Sequence, residues 1–187
     1  MKKNNLLEWC KENGKEYLIE EWDTEKNRKE LGLEMEDITF GSGRRAYWKC
    51  EKGHEWKAAV NNRRNGAGCP VCNNQKVLVG YNDLATTNPE LVKEWHPTKN
   101  GLLKPTNVAK RSNKKVWWQC SKGHEWKTTV EKRSSGRQCP TCNNKKVLAG
   151  YNDLATTNPE LAKEWHPAKN GLLKPTHITK GSHKVVW

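Results

Sequence analysis

The chain repeats itself at an offset of 70 residues, where residues 76–106 answer to 146–176 with three differences, Val79/Ala149, Val92/Ala162 and Thr98/Ala168. A self-match this long means an array of like units, so local signals have to be read unit by unit. Looser copies flank it. Trp48, Cys50, Gly53, His54 and Trp56 return as Trp118, Cys120, Gly123, His124 and Trp126, while much of what lies between them changes. A diverged connecting segment stands near the start, where Leu18-Ile19-Glu20-Glu21-Trp22 and Lys26-Asn27 parallel Leu91-Val92-Lys93-Glu94-Trp95 and Lys99-Asn100.

Cysteine and histidine give the repeat its chemistry. Cys50-x3-His54, fourteen residues and Cys69-x2-Cys72 recur as Cys120-x3-His124, fourteen residues and Cys139-x2-Cys142. Structural zinc is tetrahedral and takes thiolate and imidazole as two close pairs on separate turns, which this spacing supplies twice. Two zinc ions are therefore expected. Six of the seven cysteines fall into these sets and Cys10 is left over, a pattern that disulfides would not require. Four protein ligands close each coordination sphere, leaving no position for an activated water, so the metals are expected to be structural rather than catalytic.

A metal-held fold also suits the composition. Hydrophobic residues make up 34% of 187 and mean hydropathy is −1.04, which argues against one large apolar core. Zinc binding in finger peptides contributes roughly 10–16 kcal/mol at neutral pH, enough to order a small unit with little core. The expected fold is a string of small α+β zinc modules, zinc-ribbon or treble-clef-like, each with a β-hairpin and a Cys-Pro-x-Cys turn. The expected divisions are 1–75 (acidic opening, diverged connector, first finger), 76–145 (connector and second finger) and 146–187 (third connector). The last connector stops at Trp187, the counterpart of Trp117, inside a unit, so the sequence reads as part of a longer protein.

Alternation at Trp56, Ala58 and Val60 predicts a half-buried strand in a hairpin around the Cys-x3-His turn. Asn88-Pro89-Glu90 and Asn158-Pro159-Glu160 predict a capped connector helix running to about Trp95 or Trp165, before His-Pro stops it. Asn82-Asp83 and Asn152-Asp153 read as a turn or helix start rather than a metal site. His96 and His166 stand alone, and Asp23 takes that place in the first connector, so neither is expected to bind metal. His177 and His183 exchange with Asn107 and Asn113 and are expected at the surface.

Charge is uneven. Residues 1–46 carry 9 Lys/Arg against 11 Asp/Glu, and residues 47–187 carry 25 against 10. A net +15 on small modules attracts a polyanion, so nucleic acid, DNA before RNA, is the expected partner. The candidate phosphate contacts are Arg44, Arg45, Lys57, Arg63, Arg64, Lys110, Arg111, Lys114, Lys115, Lys127, Lys132, Arg133 and Arg137. Arg63 and Arg133 recur in both copies, and either contact phosphate or brace the loop beside the metal. Seven or eight of the ten tryptophans are expected in cores, with Trp117 the first candidate for exposure. The other readings are a protein-interaction or scaffolding array, and the targeting region of a longer nuclease-containing protein.

No nucleophile–base pair, glycine-rich phosphate loop or carboxylate cluster marks an enzyme or a small-molecule substrate. No apolar run approaches the roughly 20 residues that cross a bilayer, and the opening residues form no leader, so no membrane partner is expected. Thiolate ligands point to a reducing compartment, here the cytoplasm.

Leu84-Ala85, Pro89-Glu90-Leu91, Glu94-Trp95-His96-Pro97, Trp117-Trp118-Gln119-Cys120, Gly123-His124-Glu125-Trp126 and Cys139-Pro140-Thr141-Cys142 together resemble the tandem probable zinc-ribbon family of bacteria and phages, whose finger looks like a treble clef. The resemblance covers nearly all the chain after Leu18. It implies metal ligation by the same eight cysteines and histidines. Some members carry a nuclease-like domain beyond the repeats, and this sequence has no segment to spare for one.

Overall fold

The computed structural model describes residues 4–187. They form two compact units, one up to Leu78 and the other Val79–Trp187. Each unit contains one hairpin and one cysteine–histidine cluster.

In the first unit, α1 (Leu6–Glu12) starts at Asn5, whose side chain accepts from the Glu8 N–H at 2.9 Å. Leu6 and Cys10, four residues apart, share its buried face. Cys10 is thus a core residue, and burial, then the charge of Glu16, pushes its thiol up to about 11. The short helices α2 (Tyr17–Glu20) and α3 (Thr24–Lys26) lead into a π-helical turn over Asn27–Leu31. Strands β1 (Arg45–Lys49) and β2 (Glu55–Ala59) pair antiparallel, with Trp48 opposite Trp56. Helix α4 (Val60–Arg64) closes the hairpin. The core gathers Leu6, Cys10, Leu18, Trp22, Leu33, Met35, Ile38, Ala46, Trp48 and Val60.

The second unit begins with α5 (Leu84–Thr87) and α6 (Pro89–Val92), then β3 (Lys115–Gln119), β4 (Glu125–Thr129) and α7 (Val130–Ser134). The third connector adds α8 (Leu154–Thr157) and α9 (Pro159–Lys163). Leu84, Val108, Val116, Trp118, Trp126, Val130 and Cys139 form the core.

The connector holds two helices rather than one: the helix expected to follow Asn88-Pro89-Glu90 is α6, and α5 precedes it from the helix start at Asn82-Asp83. Proline keeps the residue before it out of the helical region, and Asn88 sits at φ −142°, ψ 62° with no capping hydrogen bond. The side-chain cap in this connector is on α5, where Asp83 accepts from the Thr86 N–H at 3.0 Å and the Gly80 N–H at 2.7 Å. Burial opposes ionisation of Asp83, but these donors and the Thr86 hydroxyl outweigh it and hold its pKa low. Helix α6 ends at Val92, short of Trp95, because the next residues join the finger's hairpin.

That junction is built alike in both units. Glu94 and Trp95 run along β3: the Gln119 N–H donates to the Glu94 carbonyl at 2.7 Å and the His96 N–H to the Trp117 carbonyl at 3.1 Å. Trp95 meets Trp118 edge to face at 5.4 Å between centroids, as Trp22 meets Trp48 at 5.2 Å. Asn100 then brackets Trp117, accepting from its N–H at 2.8 Å and donating to its carbonyl at 3.0 Å. Asn27 does the same to Tyr47, at 2.7 and 2.8 Å. These two connectors thereby extend the hairpins that follow them and cover the indole at the centre of each.

Candidate metal centres

Each Cys-x3-His pair sits on the turn of a hairpin. In the first, the Cys50 N–H donates to the His54 carbonyl and the Gly53 N–H to the Cys50 carbonyl, at 3.1 and 2.8 Å. Gly53 adopts φ +78° and Gly123 φ +79° to close these turns, a region costly for any residue with a Cβ. The Cys-Pro-x-Cys pair occupies a second tight turn. There the Asn73 N–H donates to the Cys69 carbonyl at 3.0 Å and the Gln75 N–H to the Pro70 carbonyl at 2.8 Å. Asn74 and Asn144 follow at φ +57° and +55°, the left-handed conformation that asparagine tolerates best after glycine.

Between them the turns bring Cys50, His54, Cys69 and Cys72 together, and likewise Cys120, His124, Cys139 and Cys142, with all ligand atoms of a set within 4.8 Å of one another. In the first set Nδ1 of His54 lies 3.5, 3.7 and 3.3 Å from the sulfurs of Cys50, Cys69 and Cys72, and the Cys50 and Cys72 sulfurs are 3.9 Å apart. The second set repeats this at 3.5, 3.8, 3.3 and 3.9 Å. A zinc tetrahedron built on its usual bond lengths has sulfur–sulfur edges of about 3.8 Å and sulfur–nitrogen edges of about 3.6 Å. Both donor sets fit the ion, and the chain carries two Cys3His sites for structural zinc.

The thiols are not equivalent. Burial and the neighbouring cysteines push Cys72 and Cys142 up to about 11. Burial also opposes ionisation of Cys50 and Cys120, but backbone N–H donors in the turn and the adjacent thiols outweigh it and hold both below the ordinary value. A metal cation supplies the charge that lets all three thiolates coexist.

The third connector supports the second site. Asn152 is buried and donates to the carbonyls of Thr141 and Lys146 at 2.9 and 3.0 Å, which fixes the Cys-Pro-x-Cys turn from behind. Tyr151 meets the His124 ring edge to face at 4.3 Å, and its hydroxyl accepts from Lys122 at 3.0 Å.

His96 stays out of both metal sets. It is buried, its Nδ1 accepts from the backbone N–H groups of Thr98 and Lys99, each at 3.2 Å, and its Nε2–H therefore faces Glu125 Oε1 at 2.8 Å. His166 likewise accepts from Ala168 and Lys169.

The candidate phosphate contacts divide. Arg63 and Arg133 are buried, with 1% and 5% of their surface exposed, which removes them from that set. Arg63 pairs with Glu21 and donates to the Ala67 carbonyl. Arg133 pairs with Glu94 at 2.7 Å and donates to the Arg137 carbonyl. An arginine inside a small module needs an internal carboxylate, and these two have one, so they brace the loop rather than face a ligand. Arg64 is half-buried against Phe40, 5.5 Å from the ring. Arg44, Arg45, Lys57, Lys110, Arg111, Lys114, Lys115, Lys127, Lys132 and Arg137 are exposed. Sequence reasoning passed over Lys145 and Lys146, which lie beside the second metal turn and are exposed as well.

Of the tryptophans, Trp22, Trp48, Trp118 and Trp126 are buried and Trp9, Trp56, Trp95, Trp117 and Trp165 half-buried. Trp187, not Trp117, is the exposed one, at 70%. Among the described residues, no helix is long and apolar enough to cross a membrane.

Residues 18–75, 91–145 and 161–187 match the model of a family described as the probable treble clef zinc finger domain, about three quarters of the chain. No curated protein matches it.

Proposed function

The chain belongs to the treble clef zinc finger family, and from that premise we propose that it binds nucleic acid, DNA before RNA, with two structural zinc ions ordering modules that display cations to phosphate. The observation that carries this reading is where the carboxylates go. Residues 79–187 hold 19 Lys/Arg against 8 Asp/Glu. Glu94 is engaged by Arg133, and Glu125 by His96 and Lys99. Lys110, Arg111, Lys114, Lys115, Lys127, Lys132 and Arg137 are exposed and make no ion pair among the described residues. The segment up to Leu78 is nearly balanced, at 15 against 13, so the field that attracts a polyanion belongs to the second unit.

Phosphate neutralisation releases counterions, so affinity for duplex DNA should fall with salt at a log–log slope of about −0.9 per contact. The test is titration of zinc-loaded protein against labelled DNA and RNA across a salt series, with a chelated sample beside it. Absence of binding at low salt, or binding that salt does not weaken, ends the reading.

One observation favours a protein-interaction array instead. Leu102 and Leu172 occupy equivalent places in two connectors and are 95% and 93% exposed. A partner docked on such leucines would be held with little salt dependence, so the same salt series separates the two.

A further inference from the structure

A groove of about 690 Å³ opens on the second finger, with Trp117, Trp126, Lys127, Arg137, Lys145 and Lys146 in its lining. We propose that it takes an unpaired base of single-stranded DNA, stacked on Trp117, with the adjoining phosphates against the four cations. This rests on the nucleic-acid reading above and narrows it to one strand.

The geometry of β3 puts Trp117 there. Alternation along the strand buries Val116 and Trp118, so Trp117 stands on the opposite face, in register with Lys127 on β4. Its backbone is clamped on both sides by Asn100. Lys99 Nζ lies 5.0 Å from the ring centroid. A half-exposed indole fixed among cations is the arrangement that holds single strands, because every base has a face to stack and every step a phosphate to neutralise. A duplex keeps its base faces inside the stack and offers none to the ring.

The lining contains one carboxylate, Glu125, and it is occupied by His96 and Lys99. Lys127, Arg137, Lys145 and Lys146 make no ion pair among the described residues. The first finger is different at the same places. Tyr47 replaces Trp117, with Glu30 near enough to hold its pKa above the ordinary value, Ala67 replaces Arg137 and Gln75 replaces Lys145. The second finger therefore holds the site. Trp187 repeats the pairing in the third connector, with Asn170 at 2.8 Å on either side of its backbone and Lys169 4.7 Å from its ring. Stacking and phosphate contact need nothing that DNA lacks, so the assignment to DNA follows the reading above and oligouridine is its control.

The test is fluorescence anisotropy of the zinc-loaded full chain with labelled oligothymidine, oligouridine and a DNA duplex of equal length. Trp117→Ala is expected to weaken oligothymidine binding about tenfold and duplex binding less than about twofold, while Trp117→Phe keeps most of the affinity. The salt slope should be unchanged in Trp117→Ala, since stacking releases no counterion. If Trp117→Ala fails to retain two zinc ions, Trp117→Leu, which keeps apolar bulk without a stacking face, is expected to show the same tenfold loss. Wild-type binding that these substitutions leave intact, or weaken equally for strand and duplex, overturns the stacking site and leaves nucleic-acid binding standing. Oligouridine bound more tightly than oligothymidine overturns the assignment to DNA. Failure of the wild type to bind any of the three overturns both.

Discussion

Arg133 donates to the Glu94 carboxylate at 2.7 Å while its guanidinium lies 5.5 Å from the Trp118 ring and 5.7 Å from that of Trp126. One buried cation thus ties the connector, the hairpin and the loop before the second cysteine pair into one body. Arg63, Glu21, Trp48 and Trp56 repeat the arrangement in the first unit. Burial lowers the pKa of Arg63, with Glu21 opposing, and burial raises that of Glu21, with Arg63 opposing. In both groups desolvation is the larger effect, so the pair fixes geometry more than it adds stability.

Removing only the carboxylate leaves the guanidinium buried without its counter-charge. Breaking a buried pair this way costs about 3–5 kcal/mol, and because Glu94 is one third exposed solvent reduces this to about 2 kcal/mol. Glu94→Ala should therefore destabilise the second unit by that amount in denaturant titrations with zinc present. Arg133→Met removes the charge with the pair and should cost less. Equal losses would mean that the lost contacts of the side chains matter, not the stranded charge.

Each metal set should act on its own unit. Cys139→Ser is expected to lower the zinc content from two ions to one and to melt the second finger, with the first left folded. Metal analysis and amide exchange check this, since protection should vanish around Trp118 and persist around Trp48. Loss of both zinc ions from this single substitution would show the two sites to be coupled.

The metal ligands were legible because a tetrahedral ion dictates residue type and spacing, and the chain prints both twice. The two arginines were legible only in part, since their recurrence beside the metal allowed a loop-bracing role without showing which carboxylate each meets. A cation is at the surface by default, and only the joint repetition of Glu21-Trp22 with Arg63 and of Glu94-Trp95 with Arg133 carried the signal that they are partners. Asn27 and Asn100 were visible as a repeated Lys-Asn, but their bracketing of Tyr47 and Trp117 depends on a connector that runs along the hairpin. Asn88 misled in the other direction. It occupies the start of α6 as its position before proline suggests, and the proline holds it outside helical geometry so that α5 and α6 stay separate, but its side chain makes no capping hydrogen bond.

Asp83 caps α5 with its side chain and is fully buried while doing so, whereas Asn88, at the start of α6, makes no capping bond. Losing such a cap costs about 1 kcal/mol. Asp83→Ala should lower the stability of the second unit by that much, whereas Asn88→Ala, with no capping bond to lose, should fall well short of it. Thermal melts of the two variants decide the matter, and an equal loss would show that the Asn88 side chain stabilises the start of α6 as much as Asp83 stabilises that of α5.

Arg133 and Arg137 are four residues apart, and the carbonyl of the second accepts a hydrogen bond from the first. They should nevertheless affect DNA binding in different ways. Arg137 is exposed in the basic groove, so Arg137→Gln should weaken binding and reduce the salt slope by about 0.9, the share of one phosphate on a duplex. Arg133 is indoors, so Arg133→Met should lower the melting temperature and leave the slope as it was at temperatures where the protein stays folded and zinc-loaded. Slopes measured for both variants between low and physiological salt separate a cation that meets phosphate from one that holds the finger together. A smaller slope in Arg133→Met would return that residue to the phosphate-contacting set from which its burial removes it.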